Sequence, residues 1–221
     1  MRNGPAGIRR GWHAALGYVR YMMPQSVLNS LSQNGAVLLI GYFAGLHWAG
    51  IFWLAFRAIA VPNSLLGKSL RQISLRSLSG TRDSPTRFRF VVLVTGLIGV
   101  CYAPVPLFLY FWGEAVFGLV FGETWRAAGV IGFWLSCWLG LSLSNTAAQM
   151  MLVHADYKRD LLILECVSVT VRLGALSWAL AYWGVVEATA VYALVAALFN
   201  AYIIAWGVRV SRNDHPVAKA A

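Results

Sequence analysis

Long apolar runs separated by short polar segments dominate the chain. From Tyr21 to Phe56 no Lys, Arg, Asp or Glu occurs. This stretch is too long for one membrane span, because a spanning helix needs only about 20 mostly apolar residues. Dividing it near Gly45, and treating the later apolar runs in the same way, predicts six transmembrane helices. Their approximate ranges are 21–43, 48–68, 90–112, 127–153, 161–183 and 188–208.

Two features modify this outline. Pro104 and Pro106 lie inside the third predicted helix, where a proline removes a backbone hydrogen bond and clashes with the preceding turn. We therefore expect a kink or an early end there. Residues 113–126 are glycine-rich and only half apolar, which favours an interfacial turn or a short surface helix. The polar segment 79–89 is long enough to act as a linker.

Composition supports membrane insertion. Hydrophobic residues make up 59% of the 221 residues and charged residues only 12%, whereas soluble domains are about 25% charged. The 18 Lys and Arg outnumber the 8 Asp and Glu, which gives a formal net charge of +10. In a membrane protein such an excess is typical of cytoplasmic loops that face anionic lipid headgroups, so no nucleic-acid partner is expected.

The distribution of charge predicts an orientation. Basic residues precede helix one, separate helices two and three, separate helices four and five, and follow helix six; the other three loops hold one Arg and three Glu. Under the positive-inside rule this alternation places both termini in the cytoplasm. The fold expected is an all-α integral membrane protein, with a basic cytoplasmic segment (1–20), a six-helix transmembrane lobe (21–208) and a cytoplasmic tail (209–221).

Helix one has a polar face. Gln25, Asn29 and Gln33 follow one another at intervals of four residues, so they lie on one side of a helix. Amide groups in the hydrocarbon region must find hydrogen-bond partners. The face therefore packs against another helix through interhelical hydrogen bonds, or it lines a wet cavity that could contact a substrate.

Two arginines occur deep within apolar helices. Arg57 lies in the sequence LAFRAIAVP (54–62), and Arg172 lies about 16 Å along helix five, seven residues after Glu165. A guanidinium at such depth costs at least about 2.5–3.5 kcal/mol on insertion scales. Either neighbours neutralise each arginine internally, with Glu165 serving Arg172, or both arginines face an aqueous cavity and bind an anion such as phosphate.

Two further charges could each act in either of two ways. Lys68 ends the second predicted helix near the cytoplasmic interface, where it could snorkel or draw a charged headgroup into the cavity. Glu165 could take up a proton within the membrane and couple transport to a proton gradient, or it could pair with Arg172. We prefer the pairing with Arg172.

Three stretches resemble the carboxy-terminal half of bacterial lipid-linked polysaccharide flippases, the O-antigen and exopolysaccharide translocases of the multidrug/oligosaccharidyl-lipid/polysaccharide exporter superfamily. They are RYMMPQSVLNSLSQNGAVLLIGYFAG (20–45), AGIFWLAFRAIAVPNSLLGKSLRQ (49–72) and VFGETWRAAG (120–129). The second stretch is similar to the family's Ala-x-Arg and Leu-Pro pattern, with Arg57 at the arginine. The third is similar to its Phe-Gly-x-x-Trp element.

This resemblance implies one lobe of a two-lobe flippase in the bacterial inner membrane. The cavity between the lobes would carry an undecaprenyl-pyrophosphate-linked oligosaccharide outward by alternating access. It implies that Arg57 meets the pyrophosphate and that the amides of helix one meet sugar hydroxyls. Only one lobe is recognisable, so we expect a truncated or split product, or assembly with a second lobe or a second copy.

The sequence also allows other functions. The segment HADYKRD (154–160) contains His154, Asp156 and Asp160, which could serve a membrane-embedded glycan- or lipid-transfer enzyme but are typical of a solvated turn. A multidrug or metabolite exporter of the same superfamily is also compatible with the sequence, as is a non-functional fragment. We expect a transporter that is not an enzyme, that needs no cofactor or metal, and that contacts membrane lipids.

Overall fold

The structure is a computed structural model that describes residues 27–28, 30–80 and 84–213. Helices connected by short turns make up this part of the chain, and it contains no strand. The helices are α1 (residues 27–28 and 30–44), α2 (Leu46–Gly80), α3 (Ser84–Tyr102), α4 (Pro104–Phe121), α5 (Ala127–Ser144), α6 (Thr146–His154), α7 (Lys158–Tyr182) and α8 (Val185–Asn213), with a 3₁₀ turn at Glu123–Trp125.

Five helical segments of the described chain are long and apolar enough to cross a membrane. They correspond to the second to sixth predicted spans. The first predicted span, 21–43, lies partly outside the described residues, so the count of six and the cytoplasmic placement of both termini remain predictions. The all-α fold is confirmed for the described residues. The five segments are Leu46–Leu78, Pro85–Phe121, Glu123–His154, Lys158–Tyr182 and Val185–Arg212.

The ends of α2 and α4 differ most from the prediction. Helix α2 does not end near residue 68 but continues to Gly80, because its last turns are amphipathic and bury Leu78 in an apolar cluster that includes Met151 and Leu152 of α6, the helix against which α2 packs there. Residues 113–121 belong to α4 and do not form an interfacial turn. The turn is confined to the residues after Phe121, where Gly122 adopts a φ of 98° that favours glycine.

The third predicted span is interrupted where the prolines predict a kink or an early end. Helix α3 ends at Tyr102 and α4 begins at Pro104, with Ala103 between them. The backbone N–H of Ala103 still donates to the Gly99 carbonyl at 3.0 Å, but Pro104 has no N–H to continue the series. The fourth predicted span is interrupted in a similar way at Asn145, between α5 and α6.

Helix α5 lies at the centre of the bundle and packs against α2, α4 and α8. Its contact with α4 is close because glycines meet there: a Cβ atom on Gly129 would overlap the backbone of Gly113 and Glu114. Small residues at helix crossings are typical of membrane bundles, where packing replaces the hydrophobic effect between helices. Ile131 and Leu135 of α5 are fully buried in the core.

Amide side chains join helices away from this crossing. Asn63 of α2 donates from Nδ2 to the Leu139 carbonyl of α5 at 3.1 Å. Asn145, between α5 and α6, donates to Oδ1 of Asn200 on α8. These bonds satisfy amides that lie in the apolar part of the bundle, as such groups require.

The crossing of α4 and α5 gives the first prediction. Gly129→Ala should cost about 1–3 kcal/mol through overpacking and lower the thermal unfolding midpoint of the purified protein in detergent by several degrees. Gly96→Ala in α3 is the matched control, because a Cβ atom there meets nothing within 4 Å in the described part of the chain and alanine favours a helix. Equal midpoints for the two variants would contradict the close crossing.

Candidate functional site

A hollow of about 290 Å³ lies between α1 and α2. Most of its polar lining comes from α1, and one cation comes from the middle of α2. The side chains on the α2 part are largely exposed, so the hollow opens at the surface of the bundle. The polar lining residues are Ser30, Gln33, Asn34, Arg57 and Ser64, and the others are Trp53, Phe56, Ala60 and Val61.

Among the described residues that line the hollow, only Arg57 carries a charge. Its guanidinium carbon lies 5.3 Å from the centre of the Trp53 ring, a cation–π geometry that orients the side chain. Within the residues that the structure describes, no carboxylate forms an ion pair with Arg57. Arg57 is exposed and lines the hollow, and its guanidinium carries five N–H donors.

Sequence analysis missed Trp53. The sequence could have identified it, because residues four apart on a helix lie on the same side and Trp53 precedes Arg57 by four. Trp53 is 47% exposed, which an apolar side chain in the core would not be. The aromatic ring therefore forms part of the wall beside the cation.

Helix α1 presents two different faces. Ser32, Ala36 and Ile40 are fully buried, and the Ser32 hydroxyl lies 3.3 Å from the hydroxyl of Tyr192 on α8. The other face turns Gln33 and Asn34 toward the hollow. Predicted residues Gln25 and Asn29 lie outside the described residues.

The amide of Asn34 has donor capacity left. Its Nδ2 donates to the Ser30 carbonyl at 2.9 Å, and an amide nitrogen carries two N–H groups. Since Asn34 is exposed at the hollow, the second N–H can donate to a polar ligand. The lining thus combines a cation with amide donors.

Arg172 does not lie in this hollow. It is 3% exposed, its Nη2 donates to Glu165 Oε1 at 3.0 Å, and its Nε donates to the Ser168 carbonyl at 3.3 Å. Its guanidinium also lies 5.6 Å from the centre of the Trp138 ring. These contacts agree with the first of the two interpretations drawn from the sequence, in which Glu165 neutralises Arg172 inside the protein.

The sequence was compared with models of known protein families, and one family matches. A model described as "polysaccharide biosynthesis protein" matches residues 5–129, more than half of the chain. The chain belongs to this polysaccharide biosynthesis protein family. The match confirms the resemblance drawn from the sequence, and it includes every residue that lines the hollow. No curated protein and no solved structure matches the chain.

This member of the polysaccharide biosynthesis family is a multi-pass membrane protein, with five long apolar helices in its described part. Within that part, the pairing of Arg172 leaves Arg57 as the cation that faces the hollow. We therefore omit Arg172 and Glu165 from the candidate site. The two arginines, which one of the two interpretations of the sequence placed in the same cavity, occupy different environments.

Lys68 lies just beyond the hollow. It is exposed on α2, one helical turn after Ser64, and it is not among the lining residues. Because α2 continues to Gly80, Lys68 lies inside the helix and not at its end. Its substrate-binding role remains a prediction.

The segment 154–160 spans the end of α6, the turn at residues 155–157 and the first residues of α7. Lys158 Nζ pairs with Asp156 Oδ1 at 2.9 Å, and the Asp156 side chain is 85% exposed. Asp156 has a φ of 68°, which aspartate tolerates better than most residues. Among the described residues, no three His, Cys, Asp or Glu side chains come together as a metal site.

The Glu165–Arg172 pair gives a stability prediction. Glu165→Gln should leave a buried guanidinium without its counter-charge and cost about 3–5 kcal/mol. The double variant Glu165→Gln/Arg172→Met should recover much of this loss, because it removes both charges. Thermal unfolding of the purified proteins in detergent measures the effect.

The control for this pair is Glu123→Gln. Glu123 pairs with Arg126 at the same 3.0 Å, but both side chains are more than half exposed, so its loss should cost less than about 1 kcal/mol. If Glu165→Gln destabilised the protein no more than Glu123→Gln, the burial of Arg172 would not depend on its ion pair with Glu165.

Proposed function

We propose that the chain is a flippase lobe that translocates an undecaprenyl-pyrophosphate-linked oligosaccharide across the bacterial inner membrane. Its product would serve O-antigen or exopolysaccharide synthesis, and the mechanism would be alternating access. The proposal is supported by the family match, the multi-pass helical fold and the hollow around Arg57.

The observation that carries this proposal is the position of Arg57. It lies eleven residues into α2, within an apolar run, and it faces a hollow without a carboxylate partner in the described part of the chain. A guanidinium presents a planar fork of donors that matches the oxygens of phosphate groups. An anionic ligand in the hollow would supply the missing counter-charge.

The remaining lining suits the other part of such a substrate. Asn34 offers a free amide N–H, and Trp53 offers an exposed aromatic face beside Arg57. Sugar hydroxyls need hydrogen-bond partners when they leave water. We assign the α1 side of the hollow to the sugar nearest the pyrophosphate.

The size of the hollow indicates how much of the substrate this lobe could hold without a second lobe. Its volume of about 290 Å³ is at the lower end of ligand pockets, which span about 300–1,000 Å³. A lipid-linked oligosaccharide is larger, so the hollow would hold only the pyrophosphate and the adjoining sugar. A second lobe, supplied by another chain or by a second copy, would enclose the rest.

The charge of the site separates this proposal from an exporter of cationic drugs. A fixed guanidinium repels a cation and attracts an anion in a region of low dielectric constant. None of the described residues that line the hollow offers a carboxylate to a cationic drug. The site therefore favours a phosphorylated substrate.

The test replaces Arg57 in the native host from which only this gene has been deleted. Arg57→Ala should reduce surface polysaccharide about 10- to 100-fold, because a hydrogen bond to a charged group contributes about 1.5–3 kcal/mol. Arg57→Lys should retain part of the export, since it keeps the charge but loses the fork. Immunoblotting must show equal amounts of each variant in the membrane.

The matched control is Arg209→Ala, which removes an exposed arginine from α8, away from the hollow. Export should stay at the wild-type level in this variant. Normal surface polysaccharide in Arg57→Ala, at equal expression, would overturn the proposal.

A further inference from the structure

One face of α2 continues beyond the hollow as a line of polar and basic residues. Arg57, Val61 and Ser64 line the hollow, and Lys68 and Arg71 follow at offsets of eleven and fourteen residues from Arg57. Offsets of 4, 7, 11 and 14 keep residues on one side of a helix. Lys68 and Arg71 therefore lie on the side of α2 that forms the hollow.

The position of this basic pair relative to the apolar run is informative. The helix is uncharged except for Arg57 from Leu46 to Gly67, which is about 30 Å of helix and matches the hydrocarbon core of a bilayer. Lys68 is the next residue, so a hydrocarbon region that covers Leu46–Gly67 would end just before the pair. Arg57 lies about 16 Å deeper along the same face.

Helix geometry directs the pair toward the hollow. In an α-helix the Cα–Cβ bonds tilt toward the amino terminus, so each long side chain lies over the turn that precedes it. For Lys68 that turn begins at Ser64, a lining residue of the hollow. This geometry directs the Lys68 side chain toward the opening of the hollow, and Arg71 follows one turn later on the same face.

The positive charge of this face is not cancelled locally. Helices α1 and α2 contain no Asp or Glu between residues 27 and 80. Neither Lys68 nor Arg71 forms an ion pair with a carboxylate in the described part of the chain, and both are exposed. Clefts with charge of one sign raise the local concentration of a counter-charged ligand and its association rate.

We propose that Lys68 and Arg71 form a capture site for the pyrophosphate headgroup of the lipid-linked substrate, from which the headgroup moves along α2 to Arg57. This inference rests on the proposed function and adds to it the place where the substrate first binds. The capture site acts mainly on the association rate, as charges at the rim of a binding site do, whereas Arg57 retains the bound headgroup.

The test uses the purified chain in nanodiscs of phosphatidylcholine, whose headgroup has no net charge, with farnesyl pyrophosphate as the probe. Biolayer interferometry, with empty nanodiscs as the reference, gives association and dissociation rates. Farnesol and inorganic pyrophosphate are measured in parallel, so that the contributions of the lipid tail and of the free anion are separated.

Lys68→Gln/Arg71→Gln should slow association about tenfold and leave dissociation near the wild-type rate. It should also weaken the dependence of association on salt. Arg57→Gln should instead accelerate dissociation. The matched control is Arg209→Gln/Arg212→Gln, an exposed pair at the same spacing of three residues near the end of α8, which should associate at the wild-type rate.

The outcomes separate the capture site from the proposed function. If the wild type binds farnesyl pyrophosphate and Arg57→Gln weakens binding, but Lys68→Gln/Arg71→Gln associates as fast as the α8 control, the capture site is wrong and the flippase proposal stands. If the wild type binds the pyrophosphate no better than farnesol, both are wrong. If Lys68→Gln/Arg71→Gln slowed the association of inorganic pyrophosphate as much as that of farnesyl pyrophosphate, the capture site would not be specific for a headgroup carried by a lipid.

Discussion

A guanidinium in the apolar part of α2, with no ion-pair partner in the described part of the chain, is the group on which this account of the structure depends. Arg57 has no acidic residue on its own helix or on α1, and a charge of this kind in hydrocarbon costs several kcal/mol. This face of α2 therefore cannot be turned to lipid tails. It is turned to a polar face of α1 instead, and the hollow lies between them.

Arg172 shows a different solution to the same physical problem. Its counter-charge, Glu165, lies two turns earlier on α7, so the pair can be buried together against Trp138. Arg172 thus has its counter-charge inside the protein, and at 3% exposure it is not accessible from the hollow. The presence or absence of a nearby carboxylate thus separates a structural arginine from one that is available for binding.

Hydropathy and proline positions were enough to predict the five later helical segments and the interruption at Ala103. They could not place the end of α2, because an amphipathic helix can continue past its apolar run, and Leu78 becomes buried only in the tertiary cluster to which α6 contributes Met151 and Leu152. The apolar sequence around Arg57 was enough to identify it as a candidate site residue. To identify Trp53 as well, one must note that it precedes Arg57 by four residues and so lies on the same side of the helix. The choice between a cavity and an ion pair for Arg172 depended on how α7 packs against α5, which no local pattern specifies.

Access of water to the Arg57 face tests this account most directly. In a chain whose three cysteines are replaced by serine, Ala60→Cys, which lines the hollow, should react with a membrane-impermeant sulfonate-bearing thiosulfonate. Ala58→Cys, on the same helix but outside the hollow, should not react, because a thiolate does not form in hydrocarbon. Equal protection of both cysteines would show that no wet hollow exists beside Arg57, and the account would then be wrong.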